Sequence, residues 1–118
     1  MILFLKKYIN KFKYAFAGLL DGITHDRSIL LQSLIGIIVV IVCSVLHLQI
    51  WEWIVIVAFV GAVIALEFVN SALETITDKI SPEYSKEAKK IKDYAAAAVL
   101  IMSITAAIAG ILIISNKF

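Results

Sequence analysis

Three stretches of this chain lose their polar residues for about the ~20 residues that a bilayer-spanning helix needs. The first runs from Ile29 to Leu48 and is broken by Gln32, Ser33, Ser44 and His47; the second runs from Trp51 to about Leu73 and is interrupted by Glu67; the third runs from Ala95 to Ile114. Each predicts a transmembrane helix. The short polar break from His47 to Gln49 joins the first two, whereas 78–93 is rich in charge, holds the only proline, Pro82, and reads as a surface loop. Ahead of the spans, Lys6, Lys7, Asn10, Lys11 and Lys13 alternate with Phe4, Tyr8, Phe12, Phe16 and Leu19 at helical spacing over residues 1–20. That pattern predicts a basic amphipathic helix lying on the membrane surface.

Composition agrees. Of 118 residues 62% are hydrophobic, above the ~45–50% of soluble domains, and so short a chain cannot bury that much apolar surface by itself. The expected class is a single-domain, all-α membrane protein. A net charge of +2 without a basic stripe interleaved with aromatics gives no reason to invoke nucleic acid. The single cysteine, Cys43, lies inside an apolar run and reads as an inert buried thiol. No cleavable leader pattern is seen, so Met1 is expected to begin the mature chain.

Charge distribution sets the expected orientation. Lys6, Lys7, Lys11, Lys13 and Arg27 precede the first span, and Lys79, Lys86, Lys89, Lys90 and Lys92 lie between the second and third; only Lys117 lies elsewhere. Lys and Arg are retained on the cytoplasmic side. The N-terminus and the 78–93 segment are therefore expected there, in a multi-pass membrane protein. Trp51 and Trp53 would anchor the outer interface.

Candidate chemistry lies in the second span. Glu67, Asn70, Glu74 and Asp78 follow one another at spacings of three, four and four residues, which stacks them on one helix face. Glu67 falls about 24 Å from Trp51 at ~1.5 Å per residue, near the cytoplasmic end. Polar glue between helices is usually Ser, Thr, Asn or Gln. Two glutamates stacked on one helix face instead repel unless a cation or proton intervenes. Magnesium, which prefers a few carboxylates together with phosphate oxygens, would relieve that repulsion and points to phosphoryl transfer. Asp26 just before the first span, and Lys92 and Asp93 at the mouth of the third, would meet the stripe when three antiparallel spans fold. No Walker sequence or protein-kinase signature is found. The competing reading is a noncatalytic oligomer such as a small pore, but spans one and three contain no acidic residue, so a cation path would be discontinuous. His25 and His47 lack metal-ligand spacing. Ser103, Thr105 and Gly110 read as small packing residues.

The run Glu67-Phe68-Val69-Asn70-Ser71-Ala72-Leu73-Glu74, then Asp78-Lys79-Ile80, then Lys92-Asp93 before Ala-rich apolar sequence, resembles the prokaryotic diacylglycerol kinase family. The likeness covers essentially the whole chain and includes Tyr14, Gly18 and Glu83-Tyr84. It implies a homotrimer with active sites shared between neighbours, using ATP and Mg2+ to phosphorylate a lipid hydroxyl at the cytoplasmic interface. Carried over by position, Glu67 would be the general base and Asn70 would orient it. Asp26 and Glu74 would hold the metal on the nucleotide, Lys7, Tyr14, Glu83, Tyr84, Lys92 and Asp93 would contact nucleotide, and Asp78 would support that shell. The chain departs from common members at four places: Asp26 stands for a longer glutamate, Lys7 for arginine, Ser85 for a histidine and Ala96 for a serine. The family's lipid alcohols are diacylglycerol and undecaprenol. Glu52-Trp53 and Lys89-Lys90-Ile91-Lys92-Asp93 look more similar to the undecaprenol branch.

Overall fold

A computed structural model describes residues 1–118 as four helices: α1 (Ile2–His25), α2 (Arg27–Ser44), α3 (Ile50–Ile80) and α4 (Lys86–Ser115). The last three are long and apolar enough to cross a membrane. They form an antiparallel series in which α3 packs against both α2 and α4, while α1 associates with α2. The layer is flat, with extents of 50 × 47 × 22 Å.

Helix boundaries follow from local chemistry. Asp26 breaks α1 by adopting an extended conformation (φ −111°, ψ 115°), and its Oδ1 then accepts the Ile29 N–H at 3.1 Å to cap α2. At the other end of α2, Val45 to Gln49 make the turn, with His47 at φ 54°. Gln49 and Glu52 start α3 with reciprocal side-chain to backbone hydrogen bonds, which satisfy the free N–H groups of a helix start. Pro82 lies in the break between α3 and α4, where it needs no N–H partner. Ser85 begins α4, its Oγ accepting the Ala88 N–H at 3.0 Å.

Polarity marked the 78–93 segment as a loop, yet only Ser81–Ser85 is non-helical. A helix exposed to water tolerates Lys and Glu throughout, so charge excluded this segment from hydrocarbon without excluding helix. For the same reason α3 continues past Leu73 and α4 begins at Lys86 rather than Ala95. The first helix likewise continues past residue 20 to His25, and α2 stops at Ser44, four residues short of Leu48. At about 1.5 Å per residue α3 is roughly 46 Å long, against ~30 Å of hydrocarbon. Counted from Ile50, the apolar thickness is used up near Asn70. Glu67 therefore sits just inside the boundary, and Glu74 and Asp78 sit on the projecting turns.

Close packing occurs at two glycines. A Cβ on Gly36 of α2 would come within 2.7 Å of Val60, and one on Gly22 of α1 within 2.3 Å of the Phe68 ring. Gly22 thus seats the end of α1 on α3, near the carboxylate stripe. Only eleven of 118 residues are buried, Gly36 among them, and large apolar side chains cover the outside of every helix. Such a surface requires lipid or further protein around it. The small core, Cys43, Ile56 and Ile113, lies at the end nearest the Val45–Gln49 turn.

Candidate functional site

The opposite end, where the α1–α2 corner meets the projecting part of α3, collects the polar groups. Glu67 is buried at 6% exposure on a helix whose preceding turns are apolar. Its one side-chain hydrogen bond comes from Gln32 of α2, whose Nε2 donates to Glu67 Oε1 at 3.5 Å. Most of the acceptor capacity of this carboxylate is left unused by the protein.

One turn on, half-buried Asn70 donates from Nδ2 to Glu74 Oε1 at 3.4 Å. Its own carbonyl oxygen is buried and accepts no hydrogen bond from the protein. Asn70 is therefore oriented by Glu74 with a free acceptor inside the site. Asp26 joins the group from the helix corner: Ser71 Oγ donates to Asp26 Oδ2 at 2.6 Å. Because Ser71 lies four residues after Glu67 and three before Glu74, this bond brings Asp26 onto the face that both glutamates occupy. The Ser71 hydroxyl, more than any other group, holds the Asp26 carboxyl below the usual carboxylate range; partial burial opposes it, and the Ile29 and Ser28 N–H groups assist.

Magnesium takes one or two carboxylates and fills its remaining positions with water and phosphate oxygens, and Asp26 and Glu74 are the two carboxylates here that could hold such an ion. Glu74 is exposed and so can reach a ligand on the polar side.

The expected nucleotide residues divide into two groups. Asp78, Glu83, Tyr84, Lys89, Lys92 and Asp93 line a cleft of about 360 Å³ around the Ser81–Ser85 break. Lys92 Nζ pairs with Asp78 Oδ1 and so ties α4 to α3. Lys89 pairs with Asp93 at 2.5 Å. Lys89 is an additional cation that the sequence reading left among the branch features. Lys7 and Tyr14 are not part of this cleft; they lie seven residues apart on exposed α1, with Tyr14 at 70% exposure.

Two polar residues were passed over in the sequence, Gln32 as an interruption of span one and Ser71 as a letter in the motif. The signal for Gln32 was its rarity in an apolar stretch, but its partner is 35 positions away and no periodicity links them. Gln32 also lines an apolar cavity of about 310 Å³ between α2, α3 and α4 that extends to Ile114. It stands where hydrocarbon-like space meets the buried carboxylate.

Known proteins are similar to this chain. The chain is 29% identical over 113 residues to the undecaprenol kinase of Bacillus subtilis (strain 168), covering 96% of this chain and 92% of that protein. It is 35% identical over 100 residues to the diacylglycerol kinase of Synechocystis sp. (strain ATCC 27184 / PCC 6803 / Kazusa), covering 84% of this chain and 57% of that one. The diacylglycerol kinase of Escherichia coli (strain K12) is 26% identical over 105 residues, 89% of this chain and 86% of that one. The family model described as Prokaryotic diacylglycerol kinase matches residues 13–114, which include the Glu67 to Asp78 stripe, Asp26 and the Ser81–Ser85 cleft, and the chain belongs to that family.

Proposed function

We propose that this protein is a lipid kinase that transfers the γ-phosphoryl group of magnesium ATP to the hydroxyl of a membrane-embedded alcohol. The observation that carries the reading is a buried, sparsely hydrogen-bonded glutamate, Glu67, where the apolar part of α3 ends, on the face that carries Glu74 two turns on and receives Asp26 through Ser71. A water-soluble substrate would not need its base inside that boundary; an alcohol whose chain stays in the bilayer would.

In this reading Glu67 accepts the hydroxyl proton as the oxygen attacks the γ-phosphorus and ADP leaves. Asn70, held by Glu74, presents its free carbonyl to the reacting end of the alcohol. Asp26 and Glu74 would hold magnesium, which neutralises phosphate charge when bound. Lys92, with Lys89 beside it, exchanges its carboxylate partner for phosphate oxygens, where charge on the transferred group is stabilised. Glu83 and Tyr84 border the nucleotide. The apolar cavity that begins at Gln32 gives the hydrocarbon chain a route to Glu67.

The extensive exposed apolar faces support assembly with further copies. A homotrimer would bring Lys7 and Tyr14 of a neighbouring copy to each nucleotide. Lysine placement supports a cytoplasmic N-terminus and a cytoplasmic site in the bacterial inner membrane. Undecaprenol is the favoured alcohol over diacylglycerol, supported by the near full-length match to the Bacillus subtilis enzyme and by the Glu52-Trp53 and Lys89 to Asp93 features. Purified protein in mixed micelles, given γ-labelled ATP, Mg2+ and each alcohol separately, is expected to label undecaprenol faster than diacylglycerol. Faster labelling of diacylglycerol would reverse the preference, and transfer to neither lipid would overturn the assignment.

A further inference from the structure

Hydroxyls on α-helices usually donate back to a carbonyl of the preceding turn. In this chain Thr24, Ser44, Thr75, Thr77 and Thr105 all do so, with acceptors Leu20, Ile41, Ser71, Leu73 and Ile101 at 2.6–2.9 Å. Ser71 forgoes that local bond. Its hydroxyl instead crosses 45 residues of sequence to Asp26 Oδ2 at 2.6 Å, while Asp26 Oδ1 is engaged by the Ile29 N–H at 3.1 Å.

The consequence is geometric. An aspartate has two side-chain torsions, and here each carboxylate oxygen is fixed by a different donor, one on its own helix and one on α3. Every carboxylate oxygen has a second lone pair, so both oxygens remain able to ligate. Ser71 also shares the α3 face with Glu74, three residues on. One hydroxyl therefore sets the separation between two carboxylates that belong to distant parts of the chain.

We propose that Ser71 is a positioning residue for the metal site: its hydroxyl holds the Asp26 carboxylate at the spacing from Glu74 that a divalent cation requires. This rests on the reading of Asp26 as a metal ligand. Donors that orient a metal-ligating side chain typically affect metal affinity about 10–100-fold.

The test is Mn2+ binding to the purified full-length protein in detergent, followed by electron paramagnetic resonance with a nonhydrolysable ATP analogue present, for Ser71→Ala, Ser71→Thr and Asp26→Asn. Ser71→Ala is expected to weaken Mn2+ binding about tenfold and to raise the Mg2+ concentration for half-maximal turnover in parallel, with kcat at saturating Mg2+ little changed. Ser71→Thr, which keeps the hydroxyl, is expected to restore affinity to within about twofold of the parent. Weakening by Asp26→Asn together with unaltered binding by Ser71→Ala would overturn the positioning role and leave the metal assignment standing. Unaltered binding by Asp26→Asn would remove Asp26 from the metal site and this inference with it. If Ser71→Ala does not fold, a Ser71→Thr protein that folds yet binds Mn2+ as weakly as Asp26→Asn would likewise overturn the role.

Discussion

Two glutamates of α3 are buried to nearly the same extent, and they do opposite things. Glu52, near the Val45–Gln49 turn, is 2% exposed; it accepts the Gln49 N–H at 2.8 Å and the Lys117 ammonium at 2.7 Å. Glu67, toward the other end, is 6% exposed and has a single 3.5 Å hydrogen bond from a neutral amide. Glu52 closes a helix start and clasps the C-terminal end of α4 to α3. Its charge is matched, so it has no capacity left for chemistry. Glu67 lacks a matching cation, and Asp26 and Glu74 are likewise carboxylates without a lysine beside them. The same residue type on one helix is structural where its partners are complete and is left with free acceptors, as the proposed base requires, where they are not.

That contrast can be broken by substitution. Glu67→Gln keeps shape while removing the base, and turnover is expected to fall about 10²–10⁴-fold with ATP affinity and assembly largely kept; a phosphate-transfer assay together with nucleotide binding checks this, and near-normal turnover would remove Glu67 from the chemistry. Glu74→Gln is expected to raise the Mg2+ requirement at least about tenfold, read from activity across a magnesium titration. Lys92→Ala also frees Asp78 from its ion pair, and the KM for ATP is expected to rise severalfold while the KM for the lipid stays put. At the other end, Glu52→Gln leaves the partly buried Lys117 without a counter-ion; unfolding in detergent is expected several degrees lower, with turnover per folded molecule unchanged. The smallest effect is expected at Cys43, fully buried in the core beside Ile56 and Ile113. A maleimide should label it only after denaturation, and prompt labelling of the folded protein would show that this end is looser than its packing implies.

Much of the site was legible because it lies within one helix. Glu67, Asn70, Glu74 and Asp78 share a face by virtue of 3.6 residues per turn, and no knowledge of the fold was needed to align them. The cleft residues Glu83, Tyr84, Lys92 and Asp93 flank a short break and are also close in sequence. Asp26 was less accessible: its expected role came from the family resemblance, whereas its dual use as an α2 cap and a Ser71 partner depends on how α1 and α2 meet α3. Gln32 was hidden for the same reason. The 78–93 segment was misjudged as a loop because polarity reports the solvent, not the backbone conformation.

Hydropathy and period, which act over a single turn or a single span, were enough to establish three long apolar helices, a basic amphipathic helix ahead of them and one face rich in carboxylates. They are local quantities, and any chain with this pattern would share them. Which carboxylate receives a lysine, which receives a lone amide and which is drawn to a serine 45 residues away depended on how the helices pack, because hydrogen bonds and ion pairs act over a few ångströms in space and are blind to distance along the chain.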